Sequence, residues 1–118
     1  MILVDSSVWV DHLRRGDTVL EALLNTEQVL AHPFVIGELA LGNLRKREVL
    51  LHYLQNLPQA IIASDEEVFG FIERYKLFGL GIGYIDAHLL ASTRLSAARL
   101  WTRDKRLHQA ALKLGLAK

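Results

Sequence analysis

The chain has no cysteine, only two prolines, and almost no charge of one sign left over. Its 14 Lys+Arg face 13 Asp+Glu, a net charge of +1 over 118 residues. Without thiols, disulfides, thiolate metal sites and a cysteine nucleophile are all excluded, and a reducing compartment fits. The near-zero balance lacks the high net charge of a disordered chain and gives no sign of a strongly basic nucleic-acid binder. Long apolar runs are missing as well. The longest uncharged stretch, Val49 to Ser64, is broken by His52, Gln55, Asn56, Pro58 and Gln59 and makes no membrane span. The opening Met-Ile-Leu-Val-Asp lacks the basic start and longer apolar stretch of a signal peptide. A soluble, cytoplasmic protein is expected.

What the chain does have is apolar residues, 51% by count. One domain over 1–118 is the default at this length, and a single core is feasible. Ile2-Leu3-Val4 is a short apolar run closed by Asp5-Ser6-Ser7, a buried strand and a helix start that a serine is free to cap. Val8 to Leu13 has room for only a short helix before Gly16. Asp17 caps a second helix, with Val19, Leu20, Leu23 and Leu24 at helical spacing. Gln28 to His32 is a second strand, and Pro33 suits the first position of a helix reaching Gly42-Asn43.

Another helix, about Arg45 to Asn56, stops before Pro58. Ala60 to Ala63 is β-compatible. Ser64 and Glu67 make a capping box that opens a helix to about Phe78, and Gly79, Gly81 and Gly83 mark a loop. Tyr84 to about Ala97 is helical, Arg99 to Thr102 is a strand, and Asp104 caps a last helix. Strands alternating with helices imply an α/β fold on a parallel, mostly buried sheet.

In such sheets ligands bind beyond the carboxyl ends of the strands. Four acids fall there or close by: Asp5 after the first strand, Glu38 on the helix after the second, Asp86 at the start of the helix before the last, and Asp104 just past it. Each has an ordinary reading. Asp5 and Asp104 can cap helices, and Asp86 can complement a helix dipole. Glu38 is too deep in its helix to cap it. With Phe34, Val35, Leu39 and Leu41 around it and no lysine or arginine within four residues, an apolar setting is expected for it, which a bound cation would relieve. Converging carboxylates raise one another's pKa values or hold a divalent ion, and all-oxygen ligands select Mg²⁺ or Mn²⁺.

The five histidines form no metal motif. His88, two residues beyond Asp86, points to another helix face, and His12, His32, His52 and His108 read as packing or surface groups. Arg103, Lys105 and Arg106 flank Asp104, where phosphates would pass. Arg45-Lys46-Arg47 reads as a solvated helix terminus. Val49, Leu50, Leu51, Tyr53, Leu54 and Leu57 exceed one helix face, so part of this apolar surplus is expected to form a partner surface.

Ile2-Leu3-Val4-Asp5-Ser6-Ser7-Val8-Trp9, Val35-Ile36-Gly37-Glu38-Leu39, Tyr84-Ile85-Asp86-Ala87-His88-Leu89-Leu90-Ala91 and Leu100-Trp101-Thr102-Arg103-Asp104 together resemble the PIN-domain family, most closely its VapC-type toxins. The resemblance covers essentially the whole chain. It implies a three-layer α/β/α sandwich and a Mg²⁺- or Mn²⁺-dependent endoribonuclease that acts on structured RNA, transfer RNA or ribosomal RNA. Asp5, Glu38, Asp86 and Asp104 match the family's acidic quartet, and Ser6 and Thr102 its supporting hydroxyl positions. The resemblance further implies a homodimer and a cognate VapB-type antitoxin whose tail fills a groove near the acids. The edge strand that some members add after the last helix is expected to be truncated or missing. A Mg²⁺-binding receiver domain is the competing α/β reading, but Asp5 lacks an adjacent acid and Lys105 lies too far into its helix. A non-catalytic binding module is the third.

Overall fold

The computed structural model describes residues 1–118. Three short strands, β1 (Ile2–Val4), β2 (Val29–Leu30) and β3 (Arg99–Trp101), form a parallel sheet in the order β2-β1-β3. Helices α1 (Ser6–Arg15) and α2 (Thr18–Asn25) link β1 to β2. Helices α3 (Pro33–Ala40), α4 (Arg47–Gln55), α5 (Asp65–Tyr75) and α6 (Tyr84–Leu95) link β2 to β3, and α7 (Lys105–Lys113) follows. The two connections run across the sheet in opposite directions. Right-handed crossovers therefore place their helices on opposite faces, which yields the three-layer α/β/α arrangement.

Beyond α7 a single parallel bridge joins Ala117 to Leu100. Leu100 N donates to Leu116 O at 2.7 Å and Lys118 N to Leu100 O at 2.9 Å. These bonds place residues 116–118 along the outer side of β3. The chain leaves β1 towards β2 and leaves β3 towards this opposite edge, so the direction of winding reverses between β1 and β3. The crevice of an open α/β sheet opens at such a point.

Leu3, Val4 and Leu100 are fully buried, as expected of strands covered on both faces. Val8, Trp9, Leu20, Leu89, Leu90 and Leu107 pack around them, and each large side chain so buried stabilises the fold by about 1.5–3 kcal/mol. Helix α6 is the central element, with every residue from Ala87 to Thr93 buried. His32 is buried too. Its Nδ1 accepts the Phe34 backbone N–H at the start of α3, and its Nε2 lies 3.1 Å from Ser92 Oγ. Burial pulls its pKa down to about 4, which keeps the ring neutral in the core.

The capping box at Ser64 and Glu67, the Asp17 and Asp104 caps and Pro33 at the first turn of α3 all form. Two local expectations do not hold. No serine caps α1: the helix starts earlier than expected, at Ser6, with Asp5 at the N-cap position and no side-chain cap. Residues 60–63 form no strand. Only Gln59 bridges to Ala31, while Ile61 and Ile62 face outward, so the apolar pattern there marks surface instead of sheet.

Candidate active site

The parallel register pairs Ile2 with Arg99, Leu3 with Leu100 and Val4 with Trp101. One step further along both strands lie Asp5 and Thr102. The ladder itself therefore sets these two side by side, and Asp5 N still donates to Trp101 O at 2.9 Å. Both side chains are almost fully buried. Thr102 Oγ1 donates to Asp5 Oδ2 at 2.7 Å and Ser7 Oγ to the same oxygen at 2.8 Å. Each hydroxyl is in turn held by a backbone N–H, Ser7 by that of Arg103 and Thr102 by that of Asp104. With its carboxylate turned into this network, Asp5 leaves the first turn of α1 uncapped.

The other three acids show the same division of labour between their oxygens. Glu38 Oε2 accepts from Ser6 Oγ at 3.4 Å, Asp86 Oδ2 from Gly83 N at 3.1 Å, and Asp104 Oδ1 from Leu107 N at 3.0 Å. In all four carboxylates one oxygen is fixed by the chain and the other carries no protein hydrogen bond. The free oxygens are Asp5 Oδ1, Glu38 Oε1, Asp86 Oδ1 and Asp104 Oδ2.

Glu38 and Asp86 feel the acids around them. Burial first, then the neighbouring charges of Asp5 and Asp86, push the Glu38 carboxyl above its usual range, against the pull of the Ser6 bond. Asp86 is likewise raised, by burial and then by Asp5 and Asp104, against the Gly83 bond. Glu38 thus lies within electrostatic reach of Asp5 and Asp86, and Asp86 within reach of Asp5 and Asp104, near the reversal point of the sheet. No three of these groups stand close enough to make a finished ligand cage. One expectation needs correction: Glu38 is not sealed on an apolar face. Helix α3 leaves Gly37, Glu38 and Leu41 open to solvent, because it packs on the core through Val35 and Leu39.

Of the two hydroxyls expected to support the site, Thr102 grips Asp5 and Ser6 makes the longer reach to Glu38. The second grip on Asp5 comes from Ser7, which sequence reasoning missed. The Asp-Ser-Ser triplet held the signal, but only the long-range partner of each serine distinguishes them. Supporting partners of this kind are worth about 10–100-fold in ligand affinity or activity. A Ser7→Ala variant should lose activity on that scale while keeping its melting temperature within a few degrees. A loss no larger than assay error would remove Ser7 from the site.

The three basic residues near Asp104 separate. Arg103 turns away from the crevice, binds Asp11 and Asp17 together, the latter at 2.6 Å, and lies over the Trp101 ring. It fastens the end of β3 to α1 and α2, so its charge is already spent on carboxylates. Lys105 and Arg106 are exposed and have no ion-pair partner. His88 is buried on the other face of α6, with Nε2 3.0 Å from Asp65 Oδ1, and takes no part in the acid cluster.

From Ser6 and Glu38 a groove of about 800 Å³ runs between α1 and the α3–α4 turn, past Val10, Leu13, Leu44 and Leu50, with Arg14 and Arg45 on its walls. Arg45, expected to be only a solvated helix terminus, therefore lines the groove that Glu38 also borders. No helix is long and apolar enough to cross a membrane.

The PIN domain family profile matches residues 2–113, a span that includes all four acids. The chain is also 48% identical over 118 residues to Ribonuclease VapC32 of Mycobacterium tuberculosis, both in strain CDC 1551 / Oshkosh and in strain ATCC 25618 / H37Rv, across 99% of this chain and 95% of the relative. A parallel sheet with four acids gathered where its winding reverses, a family match over almost every residue and relatives of this likeness agree: the chain belongs to the PIN domain family.

Proposed function

We propose that this protein is a divalent-cation-dependent endoribonuclease, the toxin of a toxin–antitoxin pair, and that it hydrolyses phosphodiester bonds in structured RNA. The observation that carries the reading is the quartet of half-satisfied carboxylates. Asp5, Glu38, Asp86 and Asp104 each offer one unbonded oxygen to the same crevice, a hard all-oxygen donor set that fits Mg²⁺ or Mn²⁺.

When bound, a divalent cation supplies an acidified water and a counter-charge for the phosphate. The chain does the rest. The Ser7 and Thr102 hydroxyls hold Asp5 Oδ2, so that Oδ1 faces the crevice in a fixed direction. Gly83 N and Leu107 N fix Asp86 and Asp104 in the same way, and Ser6 steadies Glu38. Lys105 and Arg106, both free of ion pairs, are left to meet the RNA backbone.

The groove beside Glu38 suits a VapB-type antitoxin segment. Its apolar floor accepts an amphipathic helix or strand, and Glu38 at its end accepts a basic side chain from that segment. A homodimer forms through the exposed apolar residues near α5 and the start of α6, among them Phe69, Phe78, Tyr84 and Ile85. Sedimentation velocity distinguishes this from a monomer.

The decisive experiment incubates the purified protein, freed of any antitoxin, with a pool of structured RNAs and Mg²⁺ or Mn²⁺ and maps the new ends. Discrete cuts in one or a few RNAs are expected, since recognition of folded RNA rests on shape and splayed bases. Intact RNA at stoichiometric protein would sink the ribonuclease reading.

A further inference from the structure

Loop 79–83 carries Gly83, whose N–H fixes Asp86, and it lies against the start of α7. Gly81 in this loop has a φ of +76°, a left-handed conformation that a residue with a side chain adopts only under strain. A Cβ at Gly81 would lie 2.7 Å from Arg106 Nη1, 2.9 Å from its Cδ and 3.1 Å from its Cζ. The guanidinium of Arg106 is thus laid directly on the Gly81 backbone, in space that exists only because position 81 has no side chain. Arg106 is the second residue after Asp104, the N-cap of α7, so it spans from one acid of the quartet to the loop that fixes another.

Nothing neutralises it. The ion pairs of the molecule are made by Arg15, Arg103 and His88, and Arg106 donates no side-chain hydrogen bond within the chain. Arg103, three residues earlier in the same basic run, is doubly paired by contrast. A crevice of four carboxylates repels a polyanion, and an approaching RNA strand needs an uncommitted cation at its rim. Arginine suits this because its planar fork meets a phosphate through two parallel hydrogen bonds. A guanidinium already resting on a surface also loses less freedom on binding than a loose lysine such as Lys105.

We propose that Arg106 is the phosphate-gripping residue of the crevice, binding one backbone phosphate of the RNA next to the bond that is cut, and that Gly81 is its positioning residue. The inference rests on the ribonuclease reading and deepens it. Arg106 acts on substrate capture and Gly81 acts only through Arg106.

The test is steady-state cleavage of an RNA substrate by the intact protein and its Arg106→Gln, Arg106→Lys, Gly81→Ala and Gly81→Ala/Arg106→Gln variants. Arg106→Gln should raise KM about tenfold with kcat nearly unchanged, the effect of one lost charge-assisted contact. The dependence of log(kcat/KM) on log[salt] should flatten by about 0.7, the share of one phosphate on a single strand. Arg106→Lys should recover part of the affinity. Gly81→Ala should raise KM several-fold, and the double variant should be no worse in KM than Arg106→Gln alone. Unaltered KM and salt slope in Arg106→Gln overturn the proposal. So does a selective loss of antitoxin affinity, which would assign Arg106 to the protein partner. Additive KM effects in the double variant remove Gly81 from its role. Failure of the unmodified protein to cut RNA at all refutes the ribonuclease reading instead, so the two failures are distinguishable.

Discussion

An Asp5→Asn variant should lose RNA cleavage by at least about a thousandfold, which corresponds to ~4 kcal/mol of lost transition-state stabilisation. It should do so without unfolding. The asparagine carbonyl can still accept the Ser7 and Thr102 hydroxyls that Asp5 Oδ2 accepts now, and the side chain keeps its volume in a buried position. What disappears is the charge, and the second oxygen becomes an amide that offers no ligand. Rates measured with RNA in excess, beside thermal melts of both proteins, check this. A variant that melts normally and cuts within tenfold of the parent would mean that Asp5 merely joins β1 to β3.

Removing divalent cations should silence the protein as completely, and the same carboxylates make the loss visible in stability. Glu38 and Asp86 both have carboxyls raised above their ordinary values, 4.5 and 3.8, chiefly by burial and then by their acidic neighbours. A raised acid binds more protons in the folded chain than in the unfolded one. The contribution of these two acids to stability is therefore greatest below the ordinary carboxylate range, falls as pH climbs through the raised values, and stays low above them. At neutral pH the cation-free protein carries the whole penalty.

Mg²⁺ or Mn²⁺ should then raise the melting temperature by a few degrees at pH 7. The gain should shrink towards zero below about pH 3, where Glu38 and Asp86 are protonated in both states. Cleavage should vanish in excess chelator and return with the cation. A melting temperature indifferent to cations at pH 7, together with cleavage that survives chelation, would point to acid–base chemistry by the carboxylates alone.

Local signals in the sequence translated well into local structure. Pro33, the Ser64–Glu67 pair and the Asp17 and Asp104 caps act within four residues of themselves, so their consequences are written in short range. The apolar triplet Ile2-Leu3-Val4 needed only to be buried on both faces. The misreadings share another cause, partners far away in the chain. Ile61 and Ile62 have the composition of a strand, but the chain leaves the sheet after the Gln59–Ala31 bridge, Ile61 N bonds to Ser96 Oγ, and both side chains remain outside. Arg103 looked free until Asp11 and Asp17 met it across about ninety positions. Ser7 and Ser6 are equivalent in sequence, and only the position of Thr102 decides which of them grips Asp5. Glu38 was placed on the right helix, but its exposure depends on which side of α3 faces the core, and a short helix with little polar surface does not disclose that.

The alignment of β1 with β3 has a bearing on how the protein is made. Asp5 leaves the ribosome well before the hydroxyl that orients it, which arrives with Thr102, 97 positions later, and Asp104 comes later still. Closing so long a loop requires all of the chain between them to be present. A nascent chain of this protein therefore carries no assembled crevice before that point. A nuclease whose proposed targets include the RNAs of the translation machinery would be inert until Thr102 and Asp104 have left the ribosome that builds it.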